Sequence, residues 1–319
     1  MSKQPLPQEA LDRFGQILGE PGFTWERVAA IRSRGLGIRR TDREIRGNLV
    51  FTRLVFDADQ RGEVPALLVH IDTPELFGRP CVLALHQTTE PASLGKAEPA
   101  GLAGNPDLSY GVELARRGAV VLIPDYPMFG SYAPDLDQIY EDWGYASMSQ
   151  KALVNHVLAL DVLQAWTGAA NAPLGVIGHS LGGSNALFLA AHDPRVVACV
   201  CSAGFSSFQS YARLFPMGLA GWARRDKYMP RIAERFAEQA ERLPSDFDDI
   251  LSAIAPRPLF LSAPTRDDTF DCASVRAIVE RTAPYWAGGD LVLQAPEATH
   301  SFPAEQREEA VDFLLSRLS

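Results

Sequence analysis

From residue 48 onward, short apolar runs alternate with stretches whose apolar residues recur at helical spacing. Residues 49–56 and 64–71 come first, and their closeness in the chain suits an antiparallel start to a sheet. Residues 80–85, 119–123, 174–177, 199–204, 258–263 and 290–295 are short and largely apolar, the pattern of strands covered on both faces. Helices are expected near 110–117 and 149–166, after residue 180 and at the C-terminus. Strands that alternate with helices in this way predict an α/β fold with a mostly parallel central sheet and helices on both faces.

The pattern before residue 48 is different. Residues 9–40 read as a helical, arginine-rich leader interrupted at Glu20-Pro21-Gly22 and Gly35-Leu36-Gly37. The expected division is a helical N-terminal leader over 1–47, serving packing or a dimer contact, and one domain over 48–319. Two insertions at strand ends are placed to shape a pocket, 89–109 and 205–249. The second carries Phe208, Tyr211, Phe215, Trp222, Arg224 and Tyr228 with a helical stretch through Glu234 and Glu241, and reads as a cap. A third aromatic-rich loop follows the strand at 119–123, with Tyr126, Phe129, Tyr132, Tyr140, Trp143 and Tyr145.

Candidate chemistry centres on Gly178-His179-Ser180-Leu181-Gly182, a G-x-S-x-G pattern between a strand-like run and a helix-like one. That context is a strand-to-helix turn that presents a serine as nucleophile, with small residues where side chains would collide with backbone. A serine hydroxyl needs an adjacent imidazole to take its proton and a third group to hold that imidazole. Downstream, His192 in Ala-His-Asp-Pro reads as a helix-end residue, whereas His300 follows a strand and a short loop and is the expected base. Asp267, Asp268 and Asp271 follow the run at 258–263; Asp268 is preferred, because Phe270 two positions on can anchor the loop, and Asp271 reads well as a helix cap. The N–H of Leu181, at the start of a helix, is the expected first oxyanion donor. The second should come from Gln87 or Thr88, beyond the strand at 80–85, with His86 bracing that loop.

Composition narrows the class. The 319 residues are 46% hydrophobic, enough for a sizeable core, and the net charge of −9 gives no general attraction to nucleic acid or anionic membranes. No signal-peptide pattern or bilayer-length apolar run appears, so a cytoplasmic protein is expected. Cys81, Cys199, Cys201 and Cys272 lack zinc-ligand or redox spacing and read as core residues; no metal and no cofactor is implied.

With Ser180, an acid near Asp268 and His300 in that order, residues 48–319 resemble the α/β-hydrolases. The segments Gly178-His179-Ser180-Leu181-Gly182-Gly183, Ile254-Ala255-Pro256-Arg257-Pro258-Leu259 and Thr299-His300-Ser301-Phe302-Pro303 resemble more narrowly the acetyl xylan esterase and dienelactone hydrolase groups. Dienelactone hydrolases use cysteine, so Ser180 favours the esterase side. The resemblance implies an α/β-hydrolase fold and a serine hydrolase that cleaves acetyl or other short acyl esters of small molecules through an acyl-enzyme. Peptidase, amidase or lactone chemistry on the same fold, or a silent binding protein, are the alternatives. A homo-oligomer is compatible with all of these.

Overall fold

The computed structural model describes residues 7–59, 62–168 and 172–318. These residues build a nine-stranded sheet in the order β1-β2-β3-β5-β4-β6-β7-β8-β9. The strands are β1 (Arg39–Arg46), β2 (Leu49–Asp59), β3 (Gly62–Ile71), β4 (Cys81–Leu85), β5 (Val120–Pro124), β6 (Leu174–His179), β7 (Val196–Ser202), β8 (Leu259–Ser262) and β9 (Leu291–Gln294). β1, β2 and β3 pair antiparallel, β3 pairs antiparallel with β5, and the pairs from β5 through β4 to β9 are parallel. Every residue of β4, β5 and β6 is buried, as continuous apolar strands in a doubly covered sheet should be.

The helices are α1 (Pro7–Leu18), α2 (Pro21–Arg32), α3 (Tyr110–Arg116), α4 (Met148–Thr167), α5 (Leu181–His192), α6 (Phe208–Leu214), α7 (Arg231–Glu234), α8 (Phe247–Ile254), α9 (Cys272–Thr282) and α10 (Ala304–Leu318). Residues of α3 and α10 share one core with one sheet face, and those of α1, α2, α4, α5 and α8 share a second core with the other. Local chemistry fixes several ends. Ser147 accepts a hydrogen bond from the Gln150 N–H at the start of α4, and Gly168 closes that helix at φ 68°. Asp271 caps α9 by accepting from the Ala273 N–H.

The leader differs from expectation at its end: instead of remaining helical, residues 39–46 form β1. With Arg, Thr, Asp or Glu at almost every position, β1 has no apolar pattern of its own. Its residues are exposed apart from the half-buried Glu44, and pairing with β2 holds it at the sheet edge. α1 packs inward rather than outward, with Phe14 fully buried against Phe188, Phe208 and Phe247. The expected helical stretch through Glu234 and Glu241 is also broken. Ala237 and Glu238 take positive φ (52° and 58°), leaving the short α7 and a 3-10 turn at Ala240–Arg242. In the loop after β5, Tyr126, Phe129, Tyr132, Trp143 and Tyr145 are buried in the core.

Candidate active site

The turn between β6 and α5 holds Ser180 at φ 53° and ψ −121°, a conformation that ordinary residues seldom adopt. The backbone closes tightly around it. A Cβ on Gly178 would lie 2.1 Å from the Gly182 carbonyl oxygen, and one on Gly182 would lie 2.0 Å from the Leu85 carbonyl oxygen. Glycine is therefore required at both places. The Ser180 N–H donates to the Ser202 carbonyl (2.9 Å), which ties the turn to the end of β7.

His300 comes from the loop between β9 and α10, and its Nε2 stands 2.9 Å from Ser180 Oγ. Its Nδ1 faces both carboxylate oxygens of Asp267, at 3.0 and 2.9 Å. Asp267 lies in the loop after β8, and its side chain has no exposed surface, whereas that of His300 is 22% exposed. The two loops are joined directly, since the N–H groups of Thr265 and Arg266 donate to the carbonyls of Pro296 and Ala298.

The acid is thus a correction to the sequence expectation. Asp268 is exposed and its side chain meets the Thr269 hydroxyl at 3.3 Å. Asp267 turns inward because its Oδ1 accepts from the N–H groups of Thr269 (2.8 Å) and Phe270 (3.1 Å), a side-chain-closed turn that fixes the carboxylate beneath His300. Phe270 is buried and does anchor the loop, but three positions after the inward carboxylate rather than two. Asp271 caps α9 and accepts from the Ser210 hydroxyl (2.7 Å).

His179 lies under the site, its ring centroid 4.9 Å from that of His300. Its Nδ1 meets Ser202 Oγ at 3.0 Å. Burial, with the His300 charge second, pushes its pKa well below the ordinary histidine range, so it stays neutral. His192 lies at the far end of α5, where its Nδ1 meets the Phe188 carbonyl, and burial lowers its pKa to about 4.

On the oxyanion side, Leu181 begins α5 beside Ser180. Gln87 and Thr88 line a cavity together with Ser180 and Leu181. His86 braces their loop: its Nε2 accepts from the Tyr126 N–H (2.9 Å), so its Nδ1 carries the proton and donates to the Gln87 carbonyl (2.6 Å). The Gln87 side-chain amide donates to Glu98 (3.0 Å), and the Thr88 hydroxyl is paired with the Tyr228 hydroxyl (2.8 Å). Backbone amides are what this segment has left to offer. Sequence reasoning misses these contacts of Glu98 and Tyr228, because a glutamate in a Pro- and Gly-rich loop reads as exposed and Tyr228 reads as one cap aromatic among several. Glu98 is in fact buried.

A cavity of about 290 Å³ opens above Ser180 and His300, walled by the 205–249 segment through Tyr211, Phe215, Trp222 and Tyr228. Side chains of this segment thus line the same space as Ser180.

A family model described as the alpha/beta hydrolase family matches residues 101–313. The chain belongs to the α/β-hydrolase family. This α/β-hydrolase is similar in fold to a glucuronoyl esterase from Solibacter usitatus, with a TM-score of 0.72 at 13% identity over 98% of this chain and 92% of the other. It is similar also to an acetyl xylan esterase from Paenibacillus sp. R4, with a TM-score of 0.69 at 18% identity over 98% of this chain and 100% of the other. Acetyl xylan esterase 1 from Thermoanaerobacterium sp. JW/SL YS485 gives a TM-score of 0.67 at 14% identity over 99% of this chain and 96% of that one. A comparison with curated protein sequences found no match. Among the described residues of this α/β-hydrolase, no helix is long and apolar enough to cross a membrane.

Proposed function

We propose that this α/β-hydrolase cleaves carboxylic esters through an acyl-enzyme, with Ser180 as nucleophile, His300 as general base and then acid, and Asp267 holding the imidazole. The observation that carries this reading is the hydrogen-bonded line from Ser180 Oγ to His300 Nε2 (2.9 Å) and from His300 Nδ1 to buried Asp267 (2.9 Å), opening on the cavity. Ser180 Oγ attacks the ester carbonyl carbon as its proton passes to Nε2. The carbonyl oxygen becomes an oxyanion that accepts from the Leu181 N–H and from a backbone N–H of Gln87 or Thr88. Collapse expels the alcohol, which takes the proton from Nε2. Water, deprotonated by the same nitrogen, then attacks the acyl group and releases the acid and the free serine. The esterase names of the similar folds support ester over amide chemistry.

The test is covalent labelling by a small fluorophosphonate together with hydrolysis of p-nitrophenyl acetate. Labelling on Ser180 and a loss of several orders of magnitude in rate for Ser180→Ala and for His300→Ala are expected. Hydrolysis that survives in Ser180→Ala would overturn the proposal.

A further inference from the structure

The cap side of the cavity is a continuous chain of aromatic rings. Phe215 stacks on Tyr211 with centroids 4.6 Å apart and planes 20° apart. Tyr211 lies 5.7 Å from Phe270 and 6.0 Å from Trp222, and Trp222 lies 5.5 Å from Tyr228. Phe270 is in turn 5.9 Å from the His300 ring, so the aromatic wall runs from the mouth to the reacting centre. At the mouth, Met217 is 57% exposed and continues the apolar surface outward.

Several polar side chains around this wall are committed to the protein, whereas the buried Trp222 N–H has no partner within it. Gln87 is bonded to Glu98, and Thr88 and Tyr228 are bonded to each other. Ser184 Oγ donates to the Gly204 carbonyl at 2.5 Å. Arg224 brings a positive charge to the lining, but its Nε and Nη2 both donate to Asp226, at 3.1 and 2.7 Å, which balances that charge. A sugar would need several donors and acceptors for its hydroxyls, and the Gln87 amide N–H, the Ser184 O–H and two of the Arg224 nitrogens already serve partners within the protein. An anionic group would find no uncompensated Lys or Arg among the described residues that line this wall. A flat, neutral, apolar ring has no such needs and finds ring edges and faces to pack on.

We propose that the cavity takes neutral esters bearing an aromatic ring, with the ring packed on Tyr211, Phe215, Trp222 and Phe270, in preference to sugar esters or saturated counterparts. A volume of about 290 Å³ is at the small end for a ligand site, so it suits one ring system on a short linker. That the ring belongs to an ester rests on Ser180 acting as proposed above; the packing of the ring does not.

Binding without turnover separates the two. In Ser180→Ala, calorimetry would compare benzyl acetate with cyclohexylmethyl acetate, ethyl benzoate with ethyl cyclohexanecarboxylate, and both pairs with an acetylated methyl xyloside. Ser180→Gly, which suits the positive φ at this position, provides an independent second background. The aromatic member of at least one pair is expected to bind about two- to tenfold more tightly than its saturated partner, the range that aromatic packing adds beyond area. Adding Phe215→Leu should bring that ratio close to one. Equal or tighter binding of the saturated ester in both pairs, binding of the sugar ester as tight as that of the better aromatic ester, or no saturable binding of either aromatic ester, would overturn the proposal. Fluorophosphonate labelling of the unmodified protein reports separately on Ser180: ring preference without labelling refutes the hydrolase reading alone, and labelling without ring preference refutes this inference alone.

Discussion

Replacing Asp267 by Asn should inactivate the enzyme through a specific rearrangement of protons. Oδ1 of Asp267 accepts two backbone N–H groups, from Thr269 and Phe270, and only an oxygen can replace it there. The Asn amide nitrogen must therefore occupy the place of Oδ2, 2.9 Å from His300 Nδ1. An NH₂ group at that place only donates; an Nδ1–H could still reach the retained Oδ1 at 3.0 Å but would oppose the amide hydrogens at 2.9 Å, so the tautomer with Nδ1 as acceptor and the proton on Nε2 is favoured. Nε2 faces Ser180 Oγ at 2.9 Å and can then no longer accept its proton. Loss of a triad orienter in this manner costs on the order of 10⁴ in kcat, about 5.5 kcal/mol of transition-state stabilisation. Asp268→Asn, on an exposed side chain outside this line, should change the rate less than about twofold. Steady-state hydrolysis of p-nitrophenyl acetate measures both, with circular dichroism as the control for folding. A rate for Asp267→Asn within tenfold of the parent, or a greater loss for Asp268→Asn, would refute the reasoning.

Three further outcomes follow from packing and charge. Gly182→Ala places a Cβ 2.0 Å from the Leu85 carbonyl oxygen and 2.8 Å from that of His86, backbone atoms that cannot swing away, so urea unfolding should show a loss of about 3 kcal/mol or more. Lys151 is fully buried with Nζ 2.6 Å from Asp59; Lys151→Met should cost about 3 kcal/mol in the same assay, and adding Asp59→Asn should recover part of it, because a buried carboxylate left with only the Tyr145 hydroxyl and Arg27 at 4.0 Å is then removed. Asp246 is raised to about 7, chiefly by burial, above its unfolded value near 3.8. Its contribution to stability is full below about pH 4 and is lost as pH rises toward 7, by at most about 1.4 kcal/mol per pH unit. Urea midpoints for Asp246→Asn should therefore lack that slope between pH 4 and 7, and an unchanged slope would rule the assignment out.

Much of the sheet was legible because its apolar runs are short and bounded by Gly, Pro and polar residues, whereas the same continuous burial over a longer span builds the helices α4 and α5. The proposed nucleophile and base, Ser180 and His300, were legible for a related reason, since the turn at Ser180 demands glycines that stand in the sequence and the proposed chemistry a histidine downstream. The acid was not, because three aspartates within five positions differ only in which one the backbone folds around. The pattern Asp267-Asp268-Thr269-Phe270 does contain the deciding signal: a carboxylate that closes a turn onto the N–H groups two and three residues later points inward, and its neighbour points out. β1 was illegible for the opposite reason. A strand at a sheet edge made of charged residues is specified by its partner β2 and not by its own pattern.

The place of α1 bears on the order in which the molecule comes together. Arg13 is bound to Asp249, 236 residues later, and Phe14 sits among rings from the helix after Ser180 and from the cap. α1 leaves the ribosome well ahead of the residues it packs on and waits without them until they have been made. Closing so long a loop is slow compared with local folding, and the apolar face of α1 is open to solvent or chaperone meanwhile. Synthesis thus produces α1 early and buries it late, and a change to its apolar face would be felt in the yield of folded protein before it was felt in the rate of any reaction.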